Sequence, residues 1–151
     1  MARQRPIHAK PLVYRRAVAH GALRLGGASL TAIRRGRVEK GDPLRAGELA
    51  GLLAMKRTPD LLPHCHPIPL TGGRVDLRVV PGAVRAECEC EAVYRTGVEM
   101  EALVGVSVAL LTVWDMVKYL EKDARGGYPT ASLGPIRVVS KEKGTVAETP
   151  K

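Results

Sequence analysis

Apolar and polar positions alternate, with interruptions, over residues 14–25 and stop at Gly26-Gly27, which predicts a first β-strand. Ser29 ahead of Leu30, Ala32 and Ile33 predicts a short helix with a serine cap, ended by Gly36. Lys40-Gly41-Asp42-Pro43 is a strong helix start, because Asp42 can cap and Pro43 suits the first turn, where no amide hydrogen is needed. The apolar stripe Leu44, Ala46, Leu49, Ala50, Leu53 and Ala54 continues that helix to Lys56-Arg57. Residues 58–71 carry Pro59, Pro63, Pro67 and Pro69 and are expected to be extended or turning. Val75, Leu77 and Val79, the turn Pro81-Gly82, then Val84, Ala86, Cys88, Cys90 and Ala92 read as a hairpin with one buried and one wet face. Residues 98–122 form the longest predicted helix, apolar almost all round, which implies burial on more than one side and a subunit interface for the second face. Gly126-Gly127-Tyr128-Pro129 reads as a loop, residues 136–140 as a last strand, and a polar tail follows. Residues 1–12 are basic and without periodicity, a poorly ordered or partner-dependent arm, and residues 13–151 form one domain. The expected fold class is an α+β sandwich, an antiparallel sheet with helices packed on one face.

Composition narrows the partners. The formal net charge of +9 favours an anionic partner: nucleic acid, acidic lipid or a phosphorylated small molecule. One Trp, four Tyr and no Phe make a stacking platform for single-stranded bases a poor fit. There is no uninterrupted apolar run of bilayer-spanning length, and no apolar signal core follows Arg3 and Arg5, so neither a membrane nor secretion is expected. Three cysteines, Cys65, Cys88 and Cys90, lack a disulfide-framework spacing and suit a reducing, cytoplasmic setting.

Four groups can carry chemistry. Asp115 and Lys118 stand three apart on the long helix: a solvated ion pair on an ordinary surface helix, a working pair in one this apolar. Glu99 and Glu101, flanking Met100, are either acids favoured by a helix N-terminus or site carboxylates. His64-Cys65-His66 lies between prolines, as an incidental polar turn or a binding loop. A metal set with Cys88 and Cys90 lacks any CxxC or HExxH spacing. Lys40, just before a helix N-terminus, is a surface lysine or a phosphate contact. Glu101 and Asp115 are fourteen residues apart, about 21 Å along one helix, so a small substrate touching both needs two subunits.

Taken in order, the motifs resemble one family. They are Lys40-Gly41-Asp42-Pro43-Leu44, Ala50-Gly51-Leu52-Leu53-Ala54-Met55-Lys56-Arg57-Thr58 and Leu61-Leu62-Pro63-His64-Cys65-His66-Pro67. Thr96-Gly97-Val98-Glu99-Met100-Glu101-Ala102-Leu103, Ser107-Val108-Ala109, Trp114-Asp115-Met116-Val117-Lys118 and Gly134-Pro135-Ile136-Arg137 complete the set, which covers about residues 13–141. The sequence resembles the molybdenum cofactor biosynthesis protein C family, the cyclic pyranopterin monophosphate synthases. That resemblance implies a ferredoxin-like fold, a hexamer built as a trimer of dimers, and active sites at the dimer interface. It implies a lyase acting on 3′,8-cyclo-7,8-dihydro-GTP, giving cyclic pyranopterin monophosphate and pyrophosphate with no metal or organic cofactor. By motif, Asp115, Lys118 and Lys40 fall on catalytic positions, and His64, Cys65, His66, Glu99, Met100 and Glu101 on substrate-binding ones. The chain departs from the pattern at His64, where the family loop begins with Leu, and at Lys141-Glu142-Lys143-Gly144, which replaces a Gly/Ser-rich tail. The family's Met-Val-Asp stretch near the N-terminus is not recognisable, and the longer segment 124–133 looks archaeal. Two other classes remain open on the residues: a basic nucleic-acid-associated domain, drawn from the net charge, and an inactive member of the same family.

Overall fold

The computed structural model describes residues 1–146; residues 147–151, the end of the polar tail assigned to the domain, lie outside the described part. The elements run β1 (Val13–Arg24), α1 (Gly27–Arg34), α2 (Pro43–Lys56), α3 (Thr58–Leu61), β2 (Gly72–Val80), β3 (Ala83–Tyr94), α4 (Glu99–Glu121), β4 (Ser132–Leu133) and β5 (Arg137–Gly144). The sheet is antiparallel, in the order β2-β3-β1, with the far edge of β1 shared between β4 and β5. The first strand therefore lies in the middle, and the helices pack on one face, as expected for the α+β class.

Period-2 patterning sets the layers. On β3, Val84, Ala86, Cys88, Cys90 and Ala92 all turn inward and are buried beneath α4. Burial pushes the Cys88 thiol up to about 12 and the Cys90 thiol higher still, so both act as small apolar residues. The outer face carries Arg16 between Glu89 (2.8 Å) and Glu142 (2.6 Å), with Arg74 and His20 flanking Glu87 at 2.6 and 2.7 Å. Pro81-Gly82 turns the hairpin, with Gly82 at φ +75°.

The helix layer differs from the sequence pattern in instructive ways. On α2 the expected stripe leaves Leu49 and Leu53 61% and 50% exposed. The side facing α4 is built on Gly47 and Gly51 instead. A Cβ at Gly51 would stand 2.9 Å from the Gly105 carbonyl oxygen, and one at Gly47 2.9 Å from that of Ala109. Hydrophobicity alone misses this face, because glycines allow the two backbones to touch where larger side chains would hold them apart. Asp42 caps α2 through Leu44 N–H (3.0 Å) and Arg45 N–H (3.2 Å), with Pro43 in the first turn.

Ser29 does not cap α1. It lies within the helix, after the N-cap Gly26, and its hydroxyl donates to the buried Glu121 carboxylate. Glu121 also accepts from Gly26 N–H at 2.9 Å, so a carboxylate from the end of α4 satisfies the start of α1. Residues 58–61, expected to be extended or turning, form the single helical turn α3. Pro59 occupies its first turn without loss, and the Thr58 hydroxyl bonds back to Met55 O at 3.0 Å. The pair β4 was not expected, and β5 runs four residues beyond the predicted strand because β1 continues to offer it a pairing edge. Helix α4 is long and apolar enough to span a bilayer by length and composition, with mean hydropathy 1.7 in its most apolar window. Half of that window is buried, in the core between sheet and α2, as befits a central helix.

Candidate active site

The candidate residues gather into two clusters at opposite ends of α4. At its C-terminal end, Asp115 accepts from Lys118 Nζ at 2.7 Å and from Lys40 Nζ at 3.0 Å. Lys118 reaches Asp115 along the helix, one turn on. Lys40 arrives from the loop before α2, where Gly41 at φ +101° closes a turn by donating its N–H to Val38 O at 3.1 Å. Glu39 N–H also donates to the Tyr119 hydroxyl at 3.1 Å, fastening that loop to α4. Trp114 meets Tyr128 edge to face, centroids 5.7 Å apart, which ties the segment after α4 to the same end.

The pair was expected within an apolar surround. In the single chain Asp115, Lys118 and Lys40 are instead about half exposed, because the first two occupy the outward side of α4 and Lys40 reaches them from an exposed loop. The two ammonium groups, Lys118 first, hold the Asp115 carboxyl below the usual range, and Asp115 in turn raises Lys118. The cluster is thus an ionised carboxylate flanked by protonated amines.

The second cluster lies at the N-terminal end. A pocket of about 370 Å³ is lined by His64, Cys65 and His66 of the loop after α3 and by Glu99, Met100 and Glu101 of α4. The structure thus brings together all six residues assigned to substrate binding. Glu101 is only 3% exposed, and among the described residues its carboxylate takes no partner except its own backbone amide. Burial raises it to about 6, with Glu99 adding a smaller push. Burial also raises the Cys65 thiol. Among the described residues, no three His, Cys, Asp or Glu side chains converge as a metal set.

Three basic residues escaped the sequence reading. Glu99 forms a wall shared with a smaller cleft of about 150 Å³, lined by Arg15, Lys141 and Lys143 among others. Lys141 Nζ sits 3.2 Å from Glu99 Oε1, and the buried Arg15 Nε has no hydrogen-bond partner among the described residues. The alternation of Lys141 and Lys143 along a strand was the available signal, but only the pairing of β5 with β1 brings them beside Arg15.

Within one chain the two clusters do not meet, since Glu101 and Asp115 stand fourteen residues apart on α4, about 21 Å. Lys40 belongs with Asp115, and His66 with Glu101.

By fold and site, the protein is an α+β sandwich whose core helix bears an acid–base cluster at one end and a carboxylate–thiol–imidazole pocket at the other. The chain belongs to the MoaC family, whose sequence model matches residues 5–144. It is 52% identical over 135 residues to the probable cyclic pyranopterin monophosphate synthase of Thermococcus kodakarensis, covering 89% of this chain and 86% of that protein. The protein of the same description from Archaeoglobus fulgidus is 51% identical over 132 residues (87% and 85% covered). That of Methanoregula boonei is 51% identical over 138 residues (91% and 89% covered). The motif resemblance and the archaeal look of the chain both agree with these relatives.

Proposed function

We infer that the chain is a cyclic pyranopterin monophosphate synthase of molybdenum cofactor biosynthesis. It acts as a cytoplasmic lyase that converts 3′,8-cyclo-7,8-dihydro-GTP to cyclic pyranopterin monophosphate and pyrophosphate. Family membership supports the reaction, and one geometric observation carries the site: Asp115 held between Lys118 and Lys40. An ionised carboxylate beside protonated amines can accept and return protons as the purine-derived ring opens and the pterin closes. Lys40, with the Arg15–Lys141–Lys143 cleft beside Glu99, offers positive charge to a triphosphate and to departing pyrophosphate, and His66 adds a hydrogen-bonding ring at the pocket. Glu101, raised towards neutrality, is suited to exchanging a proton near pH 6.

One guest reaches both clusters when two copies contribute, one giving Asp115, Lys118 and Lys40, the other His64, Cys65, His66, Met100 and Glu101. The distance along α4 and the outward apolar residues Leu49, Leu53 and Leu111 support a shared interface. The expected assembly is a hexamer arranged as a trimer of dimers. Incubating the purified protein with the cyclised nucleotide should release one pyrophosphate per pterin formed, read by mass analysis and phosphate assay. Intact nucleotide after prolonged incubation would refute the reading.

A further inference from the structure

Residues 3–5 run alongside the histidine loop in step with it. His64 Nδ1 lies 2.9 Å from Arg3 O, Gln4 Nε2 lies 2.9 Å from Cys65 O, and His66 Nε2 lies 2.7 Å from Arg5 O, at a constant offset of 61 residues. A second anchor follows. Arg95, next to the pocket residue Thr96, donates to the carbonyls of His8 (2.9 Å) and Lys10. Residues 3–10 are thus tied at one end to the histidine loop that lines the pocket and at the other to Arg95, the neighbour of the lining residue Thr96.

The chemistry of these ties is specific. A carbonyl oxygen can only accept, so the ring nitrogens facing it must carry the hydrogen. In the neutral ring, His66 then has its hydrogen on Nε2 and its lone pair on Nδ1, while His64 has the reverse arrangement. We propose that residues 3–10 are a positioning strap that fixes these tautomers, so that His66 presents Nδ1 as a hydrogen-bond acceptor to the substrate. The inference rests on reading the pocket as the substrate site. It accounts for His64 at a position where the family loop begins with Leu: the extra imidazole gives the strap a tie that a leucine could not make. It also gives work to a basic arm that lacks the family's usual stretch.

Nitrogen-15 NMR of the imidazole rings near pH 8 tests this on the intact chain, on a variant lacking residues 3–6, and on Arg95→Ala. The intact protein should show His66 as the Nε2–H form, with Nδ1 unprotonated. Both variants should shift it to a mixture of tautomers, with kcat/KM for the cyclised nucleotide falling about tenfold to a hundredfold and thermal unfolding unchanged. Arg95→Ala keeps every residue of the strap and frees only its far anchor, so agreement between the two variants excludes a simple truncation effect. Unaltered His66 nitrogen signals in both variants, or an Nδ1–H form in the intact chain, would overturn the proposal. The ring signals decide the matter independently of turnover; an inactive intact protein would overturn the functional reading alone.

Discussion

Two carboxylates on one helix are driven in opposite directions by their surroundings. Asp115 sits in water beside two ammonium groups and stays ionised, whereas Glu101 is buried with no counter-ion among the described residues and rises to about 6. Its folded value lies above the ordinary 4.5, so the fold favours the protonated form. The stability it lends is full below about pH 4.5 and is lost as pH rises through 6, amounting to about 2 kcal/mol. Glu101→Gln should therefore unfold at higher urea than the parent at pH 7, by about 2 kcal/mol, with the gain vanishing near pH 4. The same variant should lose most product formation, a trade of activity for stability. Replacing Lys118 by Ala should cut pyrophosphate release by about a hundredfold or more while the size-exclusion profile stays unchanged; normal turnover would remove Lys118 from the mechanism. The motifs singled these residues out as candidates, but their environments were not legible. An acid in the first turn of a helix reads as a dipole partner, and nothing local to Glu101 tells that Cys65 and the histidine loop will close over it.

Among the elements, α2 and α4 meet along a close glycine seam. Gly47, Gly51 and Gly105 bring the two backbones together, and a Cβ at Gly105 would meet Cys88 Sγ and Met55 Cγ, each at 2.6 Å. Gly105→Ala should cost about 2–3 kcal/mol in urea unfolding, while Gly27→Ala, with open space at its Cβ, should be near neutral. The positions of β1, β2 and β3, the Asp42 cap and the extent of α4 were all readable, because alternation, caps and long apolar runs are local signals. The seam was not: apolar counting favours Leu49 and Leu53 over the glycines that make the contact. Short pieces such as β4 were hidden as well, since Ser132 and Leu133 become a strand only when β1 offers them an edge.

For the whole molecule, the question is how many copies make a working site. Mixing Asp115→Asn with Glu101→Gln, each inactive alone, should restore about a quarter of parental turnover by forming hybrid pairs with one intact site. No recovery after subunit exchange would confine catalysis to a single chain. Leu53→Asp, placed on the exposed side of α2, should yield smaller species by light scattering and lose activity together with assembly. The all-round apolarity of α4 already pointed to a subunit interface for its second face, which carries Leu111, whereas the stripe on α2 gave no such sign for Leu49 and Leu53; periodicity marks a face as apolar and is silent on which surface covers it.

Helix α4 is also a rigid ruler. Because the two candidate clusters at its ends are held at a constant separation by the glycine seam and the sheet, a two-fold axis passing near its midpoint would complete both sites in the same event. A pair of chains could not then own one finished site and one open one. Catalytic competence would switch on with dimer concentration as a single step, and dilution would extinguish it with no half-active form along the way.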